Sequence, residues 1–443
     1  MDVMVYKKKI TSFQVIILGF SSVILLGTFL LMLPISSHEK IITPFFDALF
    51  TSTSAVCVTG LIIYDTAVYW SSFGQLVILL LIQIGGMGVI TVAAAFSMIS
   101  GRKISLMQRS TMQEAISAPK VGGIVRLTGF IVKGTLIIEL IGAVAMAPIF
   151  CRDFGIKGLW LALFHSVSAF CNAGFDLMGT KTPFSSLTGY ARQPIINFVI
   201  MTLIVVGGIG FLTWDDIKTN GFHFHKYRMQ SKVILLTTAI LLIAPAVYFY
   251  FCEFTQLETG ERLLSSLFQA VTPRTAGFNT VDLTEMSEAG KWIIIVLMLV
   301  GGSPGSTAGG MKTTTVMVLF ATASATFRQK EDTHIFGRRI NDGVVKNAAT
   351  ISLMYLVLFF SGALIISMAE GLPMLTCLFE TASAVGTVGL SLGITSKLGI
   401  LSRMILILLM FLGRVGGLTL IYAALSGPKE TMSRLPQEKI MVG

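Results

Sequence analysis

Four segments of the sequence repeat one pattern that could bind a cation: a Leu-Phe pair, a small and hydroxyl-rich stretch, and a glycine followed by an apolar residue. In chain order they read LFTSTSAVCVTGL, LFHSVSAFCNAGF, LFQAVTPRTAGF and LFETASAVGTVGL. Their glycines are Gly60, Gly174, Gly277 and Gly389. Because glycine enters the positive-φ region at little steric cost, the backbone can aim successive carbonyl oxygens toward one axis. Four such strands could replace the hydration shell of a potassium ion.

The residues immediately before each glycine complete four candidate ion-binding triplets. They are Val58, Thr59 and Gly60; Asn172, Ala173 and Gly174; Thr275, Ala276 and Gly277; and Thr387, Val388 and Gly389. The fourth reproduces the Thr-Val-Gly core of potassium-channel filters, and the others are looser versions. No carboxylate lies among them, which argues against the charged rings of divalent or unselective cation pores. Asn172 departs from the Thr or Val of the other copies, so the sequence leaves strict selectivity for potassium over sodium open.

The composition places these segments in a membrane. Hydrophobic residues make up 53% of the 443-residue chain and charged residues 13%, whereas soluble domains contain about 25% charged residues. Several apolar runs are long enough to cross a hydrocarbon core of about 30 Å. They occupy residues 13–33, 73–99, 127–150, 233–251, 344–368 and 404–425.

The basic residues predict the orientation of these runs. The formal charge of +10 lies in bands between apolar runs rather than on one face, so nucleic acid is not an expected partner. Most lysines and arginines fall in alternate connections, which the positive-inside rule assigns to the cytoplasm. Both termini are therefore predicted to be cytoplasmic, with an even number of spans between them. Lys7 to Lys9 are interpreted as the start of the first span rather than of a signal peptide.

Each copy of the pattern lies between two long apolar runs, in a segment short enough to be re-entrant. Two spans return the chain to its starting side, so all four units have the same orientation, which suits a ring around an axis along the membrane normal. We predict an all-α membrane protein with eight transmembrane helices and four re-entrant pore helices, in a pseudo-fourfold ring around a central pore. The predicted boundaries are unit 1 at 1–100, unit 2 with a cytoplasmic linker at 101–232, unit 3 at 233–330, unit 4 with a linker at 331–427, and a cytoplasmic tail at 428–443.

Two short segments carry further helix signals. Pro44 and Pro373 are predicted at the first helical position of the first and fourth short helices. Asp47 favours the positive end of its helix dipole, which leaves the negative end to attract cations within the membrane. Asp65, Asp176 and Asp282 follow the triplet glycines and either concentrate cations at the outer mouth or are ordinary solvated loop residues.

A glycine-rich segment interrupts the second apolar run of unit 3 and predicts a discontinuous span. This glycine loop consists of Gly301, Gly302, Ser303, Pro304, Gly305, Ser306, Thr307, Ala308, Gly309 and Gly310, and Lys312 follows it. Irregular backbone at membrane depth implies a neighbouring polar cavity. A phosphate-binding P-loop is disfavoured because Met311 separates the glycines from Lys312.

Two ionisable residues lie inside apolar runs, where such groups are costly and usually functional. Arg414 is predicted below the triplets, where it would repel potassium and restrain the glycine loop; snorkelling to an interface is the alternative. Glu139 is predicted to pair with a lysine or arginine. A secondary carrier for another monovalent cation or small solute remains the main functional alternative, and a membrane enzyme is disfavoured because no His, Asp or Cys constellation converges.

These features together resemble the superfamily of potassium transporters that includes Trk, Ktr, and fungal and plant relatives, with closer similarity to the membrane subunit of bacterial Ktr systems. The resemblance covers nearly the whole chain. It implies that the four triplets form a selectivity filter, that the glycine loop, Lys312 and Arg414 form the gate, and that the chain is not an enzyme.

The resemblance also implies partners and a location. A homodimer in the bacterial plasma membrane is expected, with potassium as the transported ion, contacts to membrane lipids and stimulation by sodium. No cofactor is expected on this chain, because a nucleotide, ATP/ADP or NAD(H), would bind a separate cytoplasmic KtrA-like ring. Its docking surface is predicted on residues 101–126, 214–232 and 328–346 and on the tail; binding of anionic lipid headgroups is the alternative for these basic stretches.

Overall fold

The computed structural model describes residues 11–100, 104–116, 122–180 and 182–417, together with 419 and 438. Lys7 to Lys9 lie outside the described residues, as does the predicted cytoplasmic tail apart from Glu438. The docking surface predicted at 101–126 is described only over 104–116 and 122–126.

The described residues form α-helices almost throughout. Unit 1 contains α1 (Ser12–Met32), α2 (Phe45–Val56), α3 (Thr66–Tyr69), α4 (Ser72–Met87) and α5 (Val89–Ile99). After α6 (Leu106–Ile116), unit 2 contains α7 (Ile124–Phe154), α8 (Lys157–Phe170), α9 (Pro194–Gly208) and α10 (Phe211–Asn220). Unit 3 contains α11 (Met229–Tyr248), α12 (Thr259–Val271), α13 (Glu288–Leu299) and α14 (Thr313–Phe327). A hairpin of β1 (His334–Ile335) and β2 (Arg338–Arg339) precedes α15 (Asp342–Glu370), α16 (Met374–Gly386) and α17 (Ile400–Val415) of unit 4.

The first span of each unit is a long apolar helix. α1, α7, α11 and α15 are each long and apolar enough to cross a membrane, and a π-helical turn at Phe249–Glu253 extends α11. Thr11 starts α1 with a capping box, because its hydroxyl accepts from the Gln14 amide while the Gln14 side chain accepts in return. Leu26 and Phe29 of α1 are each 61% exposed, as expected for side chains that contact lipid. The chain is therefore a multi-pass membrane protein.

The short helix of each unit is enclosed by the rest of the molecule. α2, α8, α12 and α16 contain 12, 14, 13 and 13 residues, whereas crossing a bilayer takes about 20. The phenylalanine of each repeated Leu-Phe pair has no exposed surface; these residues are Phe50, Phe164, Phe268 and Phe379. Pro44 and Pro373 occupy the N-cap, one residue before the predicted helical position, so that prediction was wrong by one residue.

The second span is also broken at a glycine in units 1 and 2, whereas the sequence predicted an interruption only in unit 3. α4 and α5 meet at Gly88 with a bend of 94°, and α9 and α10 meet near Gly210 with a bend of 96°. Gly88, Gly210 and Gly416 have φ angles of 87°, 91° and 87°, which favour glycine. Among the described residues, four helices satisfy the spanning criteria alone and the bent pairs raise the number to six. α13 and α17 begin the shorter second spans of units 3 and 4.

The four units close into a ring. The second span of each unit packs against the short helix of the next: α4 on α8, α9 on α12, α13 on α16 and α17 on α2. At the last contact, Arg403 Nη1 of α17 lies 2.6 Å from Asp47 Oδ1 of α2. The Tyr64 hydroxyl donates to the other Asp47 oxygen at 2.7 Å. The predicted fold class, four tandem repeats of span, re-entrant helix and span around one axis, is confirmed.

Candidate cation pathway

The four triplet glycines face one another around a common axis. A Cβ atom added to Gly60 would lie 2.5 Å from a carbonyl oxygen of the next unit, and one added to Gly174 would lie 2.8 Å from the corresponding oxygen. Gly277 and Gly389 show the same crowding. The four carbonyls contacted, in ring order, belong to Ala173, Ala276, Val388 and Thr59. Only glycine fits these positions, because any side chain would displace the backbone of the adjacent unit.

The four triplets share one backbone conformation although their residue types differ. Their first residues, Val58, Asn172, Thr275 and Thr387, have φ angles of 49°, 57°, 64° and 51°. Their glycines have φ angles of 90°, 68°, 81° and 95°. Positive φ is sterically unfavourable for β-branched residues such as Val and Thr, and such strain concentrates at functional sites. The surrounding structure therefore imposes this conformation on all four triplets.

A hydroxyl group in, or directly after, each short helix bonds to the triplet glycine or to the residue that follows it. Ser54 Oγ accepts from the Gly60 amide at 3.1 Å, and Ser383 Oγ accepts from the Gly389 amide at 3.0 Å. Ser168 Oγ donates to the Phe175 carbonyl at 2.7 Å, and Thr272 donates to the Phe278 carbonyl. The sequence showed a hydroxyl-rich stretch at this place without assigning these four residues a role.

The glycine loop lies against the triplets of units 2 and 4. Ser303 N donates to the Gly208 carbonyl at 3.0 Å, and Gly310 N donates to the Gly413 carbonyl at 3.1 Å. A Cβ on Gly309 would overlap Thr387, and one on Gly310 would lie 2.8 Å from the Gly386 carbonyl oxygen. The glycine loop therefore reaches the triplets through Gly309, which lies against Thr387, and Thr307, which bonds to Asn172.

Arg414 bridges three parts of the ring. Its guanidinium donates to the carbonyl oxygens of Thr307 and Gly85, and to that of Gly86 at 3.1 Å. Lys312 Nζ donates to the Ala308 carbonyl at 2.8 Å. Both cations bond to main-chain oxygens within the protein, so snorkelling to an interface does not describe Arg414.

A cavity of about 220 Å³ lies beside the glycine loop and contains an acid that the sequence did not single out. Its lining includes Lys312, Arg414 and Glu114 of α6, the linker helix. One carboxylate oxygen of Glu114 is buried without a hydrogen-bond partner among the described residues. A Cβ on Gly305 would lie 2.5 Å from the Ile116 carbonyl, so α6 packs directly on the glycine loop. Glu114 could have been found as the only acid in the otherwise basic stretch 101–126.

Two predictions about acidic residues require correction. Glu139 pairs with no lysine or arginine of the described ranges: Gln83 Nε2 donates to its carboxylate at 3.1 Å, and Cys171 Sγ lies 3.7 Å from it. Asp65 is buried, caps α3 and accepts from the Phe184 amide at 2.7 Å, so it is not an ordinary solvated residue.

The other two outer aspartates differ from each other. Asp282 is exposed and accepts from the Thr284 amide at 2.8 Å, which fits the solvated alternative. Burial, with the neighbouring Asp65 charge, raises the pKa of Asp176 to about 7. Its Oδ1 accepts from the Met178 amide at 3.0 Å.

The described residues thus define an integral membrane protein in which four hairpins meet around one axis at their triplet glycines. A family model described as "TrkH: Cation transport protein" matches residues 7–435. The chain belongs to this family of cation transport proteins, which are not a class of enzymes.

Two curated relatives match almost the whole chain. It is 40% identical to the potassium/sodium uptake protein NtpJ of Enterococcus hirae, over 99% of this chain and 98% of that protein. It is 37% identical to the Ktr system potassium uptake protein B of Bacillus subtilis, over 97% of this chain and 96% of that protein. The crystal structure of the potassium transporter TrkH from Vibrio parahaemolyticus has the same fold, with a TM-score of 0.74 and 19% identity over 96% of this chain and 86% of that one.

Proposed function

We propose that the chain takes up potassium ions across the bacterial plasma membrane through a channel-like pore. The relative at 40% identity is named a potassium/sodium uptake protein and the one at 37% a potassium uptake protein, and potassium is the ion that both names share. The single observation that carries the proposal is the closed ring of glycine contacts, from Gly60 through Gly174 and Gly277 to Gly389.

The four triplets act as the selectivity filter. A potassium ion that enters the passage loses its water, and main-chain carbonyl oxygens from four strands replace that hydration shell. The hydroxyl groups of Ser54, Ser168, Thr272 and Ser383 fix the strands, so that the carbonyls keep their positions without an ion-specific side chain.

The glycine loop, Lys312 and Arg414 act as the gate. The loop lies across the inner side of the triplets, and its irregular backbone can rearrange because the flanking helices α13 and α14 are separate. Two positive side chains beside the same cavity oppose the passage of a cation by Coulomb repulsion. A displacement of the loop would carry the Thr307 carbonyl away from Arg414 and open the passage.

Regulation and assembly complete the proposal. The chain forms a homodimer with both termini in the cytoplasm, and a separate nucleotide-binding ring of the KtrA type controls it. The word "system" in the name of the Bacillus relative supports a partner subunit, and the sodium in the name of the Enterococcus relative supports sodium stimulation. Cofactors bind the ring rather than this chain.

The test is rubidium and potassium uptake by cells that depend on the chain for potassium. Gly389→Ser and Gly277→Ser place a side chain against the Thr59 and Val388 carbonyls, so potassium affinity and selectivity over sodium should both fall. Gly129→Ser on α7 is the matched control, because a Cβ there would meet nothing within 4 Å. Unchanged affinity and selectivity in both filter variants, at equal amounts in the membrane, would reject the filter.

A further inference from the structure

The Asn172 side chain forms hydrogen bonds to two segments of unit 3 through its oxygen and its nitrogen. Its Oδ1 accepts a hydrogen bond from Thr307 Oγ1 of the glycine loop at 2.9 Å. Its Nδ2 donates to the Arg274 carbonyl, just before the third triplet, at 3.3 Å. Asn172 and Thr307 have no exposed surface. One amide therefore joins the loop to the strands of units 2 and 3.

The equivalent residues of the other triplets do not make this connection. Val58 has no polar side-chain atom, and the hydroxyl groups of Thr275 and Thr387 are buried without a hydrogen-bond partner in the described part of the chain. All four residues share the left-handed backbone, which Asn tolerates better than Val or Thr. The departure from symmetry at Asn172 thus coincides with a specific contact to the loop.

Thr307 is held in place by the loop's own contacts. Its amide donates to the Gly207 carbonyl at 3.3 Å. The Phe170 carbonyl oxygen lies 3.1 Å from the Thr307 hydroxyl oxygen and shares its single hydrogen with Asn172 Oδ1, which is nearer at 2.9 Å. Its carbonyl oxygen accepts from Arg414. A movement of the loop that breaks the Arg414 contact must also displace the hydroxyl from Asn172, because both contacts belong to one residue.

We propose that Asn172 is a specificity-determining positioning residue that couples the glycine loop to the filter. Thr307 orients the Asn172 amide, and this amide holds the backbone of the third strand at a fixed distance from the second. Discrimination between potassium and sodium depends on the positions of the coordinating carbonyls. The discrimination is therefore greatest while Thr307 contacts Asn172 and falls when the loop is displaced. This inference rests on the proposed function.

The experiment compares ion selectivity in two variants that each remove the bond between Asn172 and Thr307. Thr307→Val also removes the contact to the Phe170 carbonyl, and Asn172→Ala also removes the bond to the Arg274 carbonyl. Cells that depend on the full chain would be assayed for rubidium uptake at rising sodium, and the sodium concentration that halves uptake would be measured. Thr307→Val and Asn172→Ala should each lower that concentration by about three- to tenfold, the range expected for one lost hydrogen bond. The double variant should fall by clearly less than the two single effects combined, because both variants lose the same shared bond.

Two controls separate this bond from a general packing defect. Thr307→Ser retains the hydroxyl and should keep the original selectivity. Thr213→Val on α10 removes a buried hydroxyl that has no partner among the described residues, and should also leave selectivity unchanged.

The outcomes distinguish the inference from the function on which it rests. Unchanged selectivity in Thr307→Val and Asn172→Ala, or effects that simply add in the double variant, would overturn the coupling. If Gly277→Ser and Gly389→Ser change selectivity in that case, the filter stands and only the coupling fails. If the glycine variants also leave selectivity unchanged, the filter itself is wrong.

Discussion

The ring has an outer half, formed by the four triplets, and an inner half, formed by the breaks in the second spans and by the glycine loop. The two halves differ in symmetry. In the outer half, four triplets of different sequence adopt one backbone and contact one another through glycine. In the inner half, units 1 and 2 turn near a single glycine with a positive φ, whereas unit 3 has ten residues of irregular loop. Coordination of a bare ion requires equivalent oxygens from all sides, but a gate needs only one element that moves. The molecule is symmetric where ions would be coordinated and asymmetric where passage would be controlled.

The largest expected effect is the difference between replacing a glycine of a triplet and replacing a glycine at a helix bend. Gly60→Ala would place a Cβ 2.5 Å from the Ala173 carbonyl, whereas Gly88→Ala meets only Thr91 Oγ1 at 3.7 Å. Overpacking costs about 1–3 kcal/mol, so potassium affinity should fall by about one to two orders of magnitude in Gly60→Ala. In Gly88→Ala the only cost is the strain of an alanine at positive φ, so the affinity for potassium should stay unchanged. Equal losses in the two variants, measured by potassium-limited growth, would remove the distinction between the halves.

The second effect concerns the inner half. Arg414→Gln removes a positive charge from the cavity, and uptake under conditions that close the gate should rise by about tenfold, equivalent to about 1.4 kcal/mol of barrier. Arg414→Lys keeps the charge without the planar fork that reaches several carbonyls, so it should show a smaller rise. Identical flux in the original chain and both variants would exclude Arg414 from the gate.

A smaller effect tests how the outer half keeps its geometry. Ser54→Ala leaves the buried Gly60 amide without its acceptor, which costs about 1–3 kcal/mol. Thr53→Val, at the adjacent position, removes a buried hydroxyl with no described partner and should be nearly neutral. The thermal midpoint of the purified chain and its potassium affinity should fall in the first variant only. A comparable fall in both would mean that packing, rather than the hydrogen bond, supports the strand.

The smallest effect is a pH dependence at the outer mouth. The pKa of Asp176 is raised in the folded chain to about 7, above the ordinary 3.8, so the folded state binds the proton more tightly than the unfolded state. The stabilisation of the folded state that this difference in pKa provides is fully present below about pH 4 and is lost as the pH rises to about 7. Asp176→Asn should therefore flatten the decline of the thermal midpoint between pH 5 and 8.

Asp282→Asn is the control for that measurement. Asp282 is exposed in a neighbouring loop, and its replacement should leave the pH dependence in place. A decline that persists unchanged in Asp176→Asn would assign the effect to another group.

The repeats and the glycine loop could be predicted from the sequence because each leaves a local pattern. The Leu-Phe pair predicts a buried helix, and the glycine that follows it predicts a close approach of two backbones. The GGSPGSTAGG segment predicts a break in a helix. The break at Gly88 was missed because its flanking residues form one continuous apolar run, which length and hydropathy alone describe as a straight span.

Contacts between distant parts of the chain could not be predicted in the same way. A base was expected opposite Glu139, but its partner is Gln83, which lies 56 residues away in the sequence. The bond from Thr307 to Asn172 joins residues that are 135 positions apart. No local periodicity encodes such pairs. Asn172 was noticed as a departure from the repeat, but only the three-dimensional arrangement shows that its amide meets a loop from another unit.

The order in which the units contact one another has a consequence for biosynthesis. The short helix α2 receives its covering second span from α17, and the Arg403 to Asp47 ion pair joins residues at nearly opposite ends of the chain. A chain emerging from the ribosome at about 5–20 residues per second therefore inserts its first hairpin well before that hairpin acquires its final neighbour. Until the last hairpin enters the bilayer, nascent molecules lack the Arg403 partner of Asp47 in the first turn of α2.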